Sequence, residues 1–213
     1  MKHIYTDLAI ESRQVYEPNE EKEVEGVSVE VKDEDNYSVT TVKVLNDRGS
    51  ELINKAVGTY ITMEVPQLDR SDEDLKDEIS MGLAKLIKDL IESYKKDKVL
   101  IIGLGNWNIS SDSLGPRVVD RVLVTRQYFI NYQKEFDETM ANVAAMSPGV
   151  MGITGIETFD IVKGLVDKIK PDIVVAVDAL SSRKMDRVTR TIQISDTGIN
   201  PGSGVGNSRQ GLE

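Results

Sequence analysis

Two aspartates follow two apolar segments that have the composition of buried strands. Asp112 lies in a polar loop after residues 99–102, and Asp178 comes directly after residues 173–177. Continuous runs rich in Val and Ile are typical of central strands in a parallel sheet. In open α/β sheets, ligands bind in the crevice beyond the carboxyl ends of the strands. We therefore expect both carboxylates to share one crevice at that edge of the sheet.

A pair of carboxyl groups in one crevice favours a particular kind of hydrolysis. Two neighbouring carboxyls do not both ionise easily, so one stays protonated. The ionised group can activate water while the protonated group donates to a carbonyl oxygen, which is aspartic-type peptide hydrolysis. Two alternatives stay open. The pair could bind a divalent cation through oxygen donors, and Asp178 could instead cap a turn or pair with Arg183 or Lys184.

The composition excludes several other kinds of site. The 213 residues include no cysteine, which rules out cysteine nucleophiles and zinc–thiolate centres. His3 is the only histidine, so a multi-histidine metal site cannot be built. The net charge of −10 argues against a general nucleic-acid-binding surface. The sequence has no apolar run near the roughly 18 residues of a membrane span, and its N-terminus lacks the apolar core of a signal peptide.

Three further motifs indicate other chemistry only weakly. Gly103-Leu104-Gly105 follows a strand, but the dinucleotide fingerprint requires a third glycine where Asn108 stands. Residues 202–206 are glycine-rich and could hold an anion, although they follow no apolar strand. A serine–lysine dyad would combine residues 181–182 with Lys184, but a polar turn is the simpler interpretation. A non-catalytic, nucleotide-binding α/β module therefore stays open as an alternative to an enzyme.

The elements around these residues are predicted from the periodicity of the apolar side chains. Residues 1–22 have few apolar residues in period and are expected to be loosely ordered, and residues 46–49 to form a turn. The predicted strands span 27–31, 39–45, 57–65, 99–102, 142–146, 173–177 and 188–194. The predicted helices are a long one capped by Ser71 and two that span 117–129 and 156–169. This order predicts an α/β three-layer sandwich, with a mostly parallel central sheet and antiparallel strands at its edge.

Six segments, in order along the chain, resemble the germination proteases of spore-forming bacteria. They are TDLAIE, YITMEVP, GLGNWNISSDSLGP, MSPGVMGITGIET, VVAVDALSSR and SDTGINPGSGVGN. The resemblance implies an endopeptidase whose catalytic pair is Asp112 and Asp178. It also implies a fold similar to that of the hydrogenase maturation endopeptidases, which use a histidine and a metal. This chain has no histidine at a comparable place, so no cofactor is expected, and a metal-dependent peptidase is kept as an alternative.

The resemblance further implies a zymogen that removes a short N-terminal segment. Substrates of the family carry a site of the type Thr-Glu-apolar-Ala-x-Glu, cut after the first acidic residue. Residues 6–11 read Thr-Asp-Leu-Ala-Ile-Glu, so we expect self-cleavage between Asp7 and Leu8. Residues 1–25 are then a pro-segment with an exposed linker, and residues 26–213 are a single α/β peptidase domain.

The partners and the location are also implied by the resemblance. The expected substrates are small acid-soluble spore proteins, in the cytoplasm of the spore core, and the expected assembly is a homotetramer. No direct contact with nucleic acid or with a membrane is expected. Members of the family are longer than this chain, so its C-terminal part is expected to be missing.

Overall fold

The computed structural model describes residues 6–19, 22–94, 97–131 and 140–199, which form seven helices and seven strands. His3 and the glycine-rich residues 202–206 lie outside the described residues. The helices are α1 (Ala9–Tyr16), α2 (Asp47–Ile53), α3 (Glu73–Ile91), α4 (Leu114–Arg121), α5 (Arg126–Asn131), α6 (Met151–Thr154) and α7 (Thr158–Ile169). The strands are β1 (Val27–Asp33), β2 (Ser38–Val44), β3 (Gly58–Glu64), β4 (Lys98–Gly103), β5 (Asn142–Met146), β6 (Ile173–Val177) and β7 (Thr191–Ser195).

The chain divides into two compact units. The first unit contains the described residues up to 92 together with residues 180–199, and the second unit contains those from 93 to 179. The first unit is therefore built from two segments that are far apart in the sequence. None of the helices in the described ranges is both long and apolar enough to cross a bilayer.

The first unit is an antiparallel sheet in the order β1-β2-β3-β7, in which the inner strands β2 and β3 are largely buried and β1 is mostly exposed. Side chains along a strand alternate between its two faces, so Tyr60 and Met63 on β3, three positions apart, point to opposite faces of the sheet. On the Tyr60 face, Ala9 of α1 and Ile53 of α2 complete a buried apolar cluster. On the Met63 face, the apolar side of α3 packs through Ile79. The core of this unit thus lies in two layers, one on each side of the sheet.

The second unit is a parallel sheet in the order β5-β4-β6. The central strand contributes Leu100 and Ile102, both almost fully buried. Leu100 is paired with Ala144 on one side and with Val174 on the other. A continuous apolar run suits this position, because a central parallel strand is buried on both faces.

The α/β class and the parallel pairing of the strands around 99–102 and 173–177 are confirmed, but one feature of the predicted sheet is wrong. The antiparallel strands were expected at the edge of the parallel sheet, and they form a separate sheet instead. The late strand β7 pairs antiparallel with β3, with Gln193 opposite Thr62. Between β6 and β7 the chain forms only the 3-10 turn Met185–Arg187, and not the helix that usually connects two parallel strands.

The predicted cap of the long helix is wrong by one residue. Asp72, and not Ser71, caps α3, because its side chain accepts from the Leu75 amide at 3.0 Å.

Three further local predictions are wrong. Within residues 1–22, α1 is ordered and starts beside Leu8, which is fully buried. The predicted turn at 46–49 is the start of α2, because the side chain of Asn46 accepts a capping hydrogen bond from the Gly49 amide at 2.9 Å. The predicted helix at 117–129 is two helices, interrupted where the Thr125 amide donates to the carbonyl of Val143 at 3.0 Å.

Candidate active site

The loop after β4 holds Asp112 through main-chain hydrogen bonds. The Asn106 amide donates to the carbonyl oxygen of Asp112 at 2.8 Å and to its Oδ2 atom at 3.0 Å. The Asp112 amide donates in turn to the carbonyl of Ile109 at 2.9 Å. The side chain is half-buried at the end of a single 3-10 turn, Ser110–Asp112. The carboxylate is therefore fixed by its own loop while it stays accessible to water.

Asp178 occupies the equivalent place after β6. Its Oδ1 atom accepts from the Ala179 amide at 2.8 Å, and the side chain is half-buried. The preceding residue, Val177, accepts a hydrogen bond at 2.8 Å from the Leu104 amide in the loop that leads to Asp112. The structure thus places both aspartates past the carboxyl ends of two neighbouring parallel strands, and a direct main-chain bond joins their two segments.

Gly115 fixes the start of α4 against these two strand ends. A Cβ atom at this position would lie against the backbone of Leu104 and at 2.5 Å from the carbonyl oxygen of Val177. Such distances do not occur for real Cβ atoms, so any side chain would push α4 and its loop away from the sheet. The glycine is therefore required by the close approach of three backbone segments around the aspartates.

We expect Gly115→Ala to lower the free energy of unfolding by about 2 kcal/mol, because overpacking here moves backbone and not a flexible side chain. The matched control is Gly164→Ala in α7, where an added Cβ meets no atom within 4 Å. That variant should be stabilised by up to about 1 kcal/mol, through helix propensity. Urea denaturation measures both, and equal unfolding midpoints for the two variants would contradict the role given to Gly115.

The surface beside Asp112 carries apolar and cationic side chains that our sequence reasoning missed. Trp107, Ile109 and Leu114 are each about half exposed. The Arg117 guanidinium lies 5.5 Å from the centre of the Trp107 ring, and its Nε donates to Ser113 Oγ at 3.0 Å. An aromatic ring under a guanidinium is a favourable contact. This rim can contact both apolar and acidic side chains of a peptide.

A divalent cation site at the aspartates, with oxygen donors as its ligands, is the alternative that the sequence leaves open. No group of three or more His, Asp or Glu side chains in the described ranges comes close enough together to hold a metal ion.

The glycines of the Gly103-Leu104-Gly105 segment have a local structural explanation, because Gly105 adopts a φ of +113° and lies against the carbonyl of Asp112. They allow the loop to turn tightly around the aspartate.

The motif at residues 6–11 is built into the first unit. The Asp7 amide donates to the carbonyl of Ser181 at 3.1 Å, and Asp7 Oδ2 accepts from the Ser181 amide at 2.8 Å. Leu8 has no exposed surface and extended backbone angles, and α1 begins directly after it. The Asp7–Leu8 peptide bond therefore lies just before a helix, with the residue on its C-terminal side held in the core.

Glu11 is the buried acceptor that fixes this motif. Its carboxylate accepts from the Thr6 hydroxyl at 2.6 Å and from the amides of Arg183 at 2.8 Å and Lys184 at 3.1 Å. Arg187 lies 3.4 Å away and also contacts Glu64 at 2.6 Å. Burial alone would raise the pKa of Glu11, but the hydrogen bonds from Thr6, the two amides and a serine hydroxyl together lower it below its ordinary value.

Comparison with known proteins identifies the family. The family model described as germination protease matches residues 5–213. The chain belongs to the germination protease family. It is 48% identical over 206 residues to the germination protease of Caldanaerobacter subterraneus subsp. tengcongensis, covering 97% of this chain and 63% of that protein. It is 46% identical to the germination protease of Clostridium tetani, covering 98% of this chain and 65% of that one.

The match extends to more distant members of the germination protease family. The protein of that name from Bacillus cereus is 44% identical over 214 residues, covering 98% of this chain and 58% of the relative. The chain thus spans less than two thirds of the length of these three relatives.

The structure also bears on the serine–lysine dyad considered for this family member. The Ser182 hydroxyl lies 3.0 Å from Glu11 Oε1 and 3.1 Å from the carbonyl oxygen of Lys184, as in a polar turn.

Sequence reasoning missed Arg187 and Gln193, which both contact the N-terminal motif. The sequence points to these two residues only indirectly. A glutamate that is buried within the motif requires hydrogen-bond donors, and these must come from elsewhere in the chain.

Proposed function

We propose that this chain belongs to an endopeptidase that starts the degradation of small acid-soluble spore proteins during germination, with Asp112 and Asp178 activating water. The observation that carries the proposal is the placement of two half-buried carboxylates past neighbouring strands whose ends are hydrogen-bonded through Leu104 and Val177. We further propose the homotetramer, the spore-core location and the likeness to hydrogenase maturation endopeptidases that the family resemblance implies.

The proposed reaction needs one ionised and one protonated aspartate. The ionised carboxylate takes a proton from water, the water oxygen adds to the peptide carbon, and the protonated carboxyl gives its proton to the carbonyl oxygen. When the gem-diol collapses, the C–N bond breaks and the leaving nitrogen receives the proton that came from water. The second aspartate recovers its proton from the diol hydroxyl, so both groups return to their starting state.

Self-processing between Asp7 and Leu8 is part of the same proposal. The support is the match of residues 6–11 to the substrate type Thr-Glu-apolar-Ala-x-Glu, with Asp7 in the place of the first acidic residue. The cut would release residues 1–7 and leave α1 attached, because Leu8 and Ala9 are fully buried in the first unit.

The test is cleavage of a peptide that contains Thr-Glu-Ile-Ala-Ser-Glu by the protein beginning at Leu8. We expect one cut after the first Glu, identified by mass spectrometry and unchanged by a metal chelator. A reaction that stops with chelator and resumes with added metal would instead favour a metal-dependent peptidase. Cuts at unrelated positions, or no cut, would contradict the proposed specificity.

A further inference from the structure

The carbonyl oxygen of Asp7 is held by two side-chain donors. Lys55 Nζ lies 2.9 Å from this oxygen, and Gln193 Nε2 lies 3.0 Å from it. Lys55 Nζ also donates to the carbonyl of Thr6 at 3.2 Å. Both distances to Asp7 are those of well-formed hydrogen bonds. This oxygen belongs to the Asp7–Leu8 peptide bond, where the proposed cleavage takes place.

Both donor side chains are positioned by neighbouring elements of the first unit. Gln193 is on β7, and its Oε1 atom accepts from the Ala9 amide at 2.9 Å, so the side-chain amide is oriented at both ends. Lys55 follows α2, where Asn54 ends the helix with a φ of 52°. Because both side chains are fixed before any reaction, they would stabilise new charge on the oxygen with little reorganisation.

The surroundings strengthen these hydrogen bonds. Leu8 and Ala9, on the far side of the same peptide bond, have no exposed surface. Burial lowers the pKa of the Lys55 ammonium below its ordinary value, and the nearby carboxylates of Asp7 and Glu11 offset part of that effect. Charge–dipole interactions in such a poorly hydrated place are screened less than those in water.

We infer that Lys55 and Gln193 form an oxyanion site for self-cleavage of the Asp7–Leu8 bond. The inference rests on the proposed function and adds catalytic residues to it. As the water oxygen bonds to the Asp7 carbon and its proton passes to the ionised aspartate, the π electrons move onto the Asp7 oxygen. Lys55 and Gln193 stabilise that charge until the protonated aspartate delivers its proton. The C–N bond then breaks, and the Leu8 nitrogen leaves as an amine.

The test follows self-cleavage of the full chain by intact-protein mass spectrometry, as the rate at which protein beginning at Leu8 accumulates. Lys55→Met and Gln193→Glu should each be about 100-fold slower, the usual loss when one oxyanion donor is removed. Gln193→Glu keeps an acceptor for the Ala9 amide, removes the donor to the Asp7 oxygen and places a carboxylate oxygen beside it. Lys55→Arg keeps a cationic donor and should recover part of the rate, whereas Lys85→Met, on the exposed face of α3, should be within twofold of the parent.

Hydrogen exchange of the α1 amides distinguishes two reasons for slow self-cleavage. One is weaker stabilisation of charge on the Asp7 carbonyl oxygen, and the other is loss of docking of the N-terminal segment. We expect the slow variants to keep the exchange rates of the parent in Ala9–Tyr16. Loss of that protection in both slow variants would show that the side chains only dock the segment, and would overturn the inference. So would self-cleavage at the parent rate in either variant.

Asp178→Asn separates this inference from the proposed function. Self-cleavage that continues in Asp178→Asn would overturn the aspartate mechanism, whatever the Lys55 and Gln193 variants do. Self-cleavage that is lost in Asp178→Asn and normal in the other two would overturn only the oxyanion site. A parent chain that is not cut between Asp7 and Leu8 would overturn both self-processing and the oxyanion site.

Discussion

Asp112→Asn and Asp178→Asn should each lower kcat/KM for the peptide substrate by at least about 10³-fold. Positioned general acids and bases contribute roughly 10² to 10⁴ in rate, and each carboxyl is required in the proposed mechanism. The substitution preserves local structure, because an asparagine oxygen can still accept from the Asn106 amide at position 112 and from the Ala179 amide at position 178. The loss should therefore appear in kcat, with unfolding midpoints close to that of the parent.

The control for this pair is Asp120→Asn. Asp120 is an exposed aspartate on α4, so its loss changes the net charge by the same amount without touching the site. Its kcat/KM should be within twofold of the parent. If Asp112→Asn or Asp178→Asn retains more than a tenth of the parental activity, that carboxylate does not activate water.

Arg187→Met should lower the free energy of unfolding by about 3 kcal/mol. Arg187 is almost fully buried and contacts two carboxylates, Glu11 at 3.4 Å and Glu64 at 2.6 Å. Removing one member of a buried ionic group leaves the others without compensation, which costs about 3–5 kcal/mol. For a chain of this size the melting temperature should fall by roughly 6–12 °C. Thermal unfolding followed by circular dichroism measures the change.

Arg190→Met is the matched control. Arg190 pairs with Asp69 at 3.0 Å, but both side chains are about one third exposed, so solvent screens the pair. Its melting temperature should stay close to that of the parent. A double-mutant cycle of Arg187→Met with Glu11→Gln would isolate the pair energy. Equal losses in Arg187→Met and Arg190→Met would show that the buried group does not stabilise the first unit.

The second unit could be predicted well because its signals are local. Residues 99–102 and 173–177 are apolar runs typical of central strands, and a polar residue that follows such a run is a candidate site residue. Asp112 and Asp178 were therefore identified from their neighbours in the sequence. Their catalytic roles stay a prediction.

The first unit could not be predicted as well, because its decisive contacts join residues far apart in the chain. Arg187 and Glu11 are separated by 176 positions, and Gln193 and Asp7 by 186. In and beside α1, the fully buried apolar residues are Leu8 and Ala9. The helix therefore lacks the apolar stripe, repeated every three to four residues, that marks an amphipathic helix in a sequence. A loosely ordered segment was the natural prediction from such a pattern. Tertiary hydrogen bonds stabilise the segment instead.

The division of the first unit between residues 6–92 and residues 180–199 determines the order in which the protein can fold during synthesis. The described part of the second unit comes from one continuous segment, residues 93–179, so it can form as soon as β6 leaves the ribosome. Glu11 and Arg187 are 176 positions apart. At about 5–20 residues per second, the N-terminal motif therefore waits roughly 9 to 35 seconds for Arg187 to be synthesised. Glu11 has no contact with Arg187 until then. The motif at residues 6–11 is therefore among the last parts to dock, after the strands that carry Asp112 and Asp178 have been made.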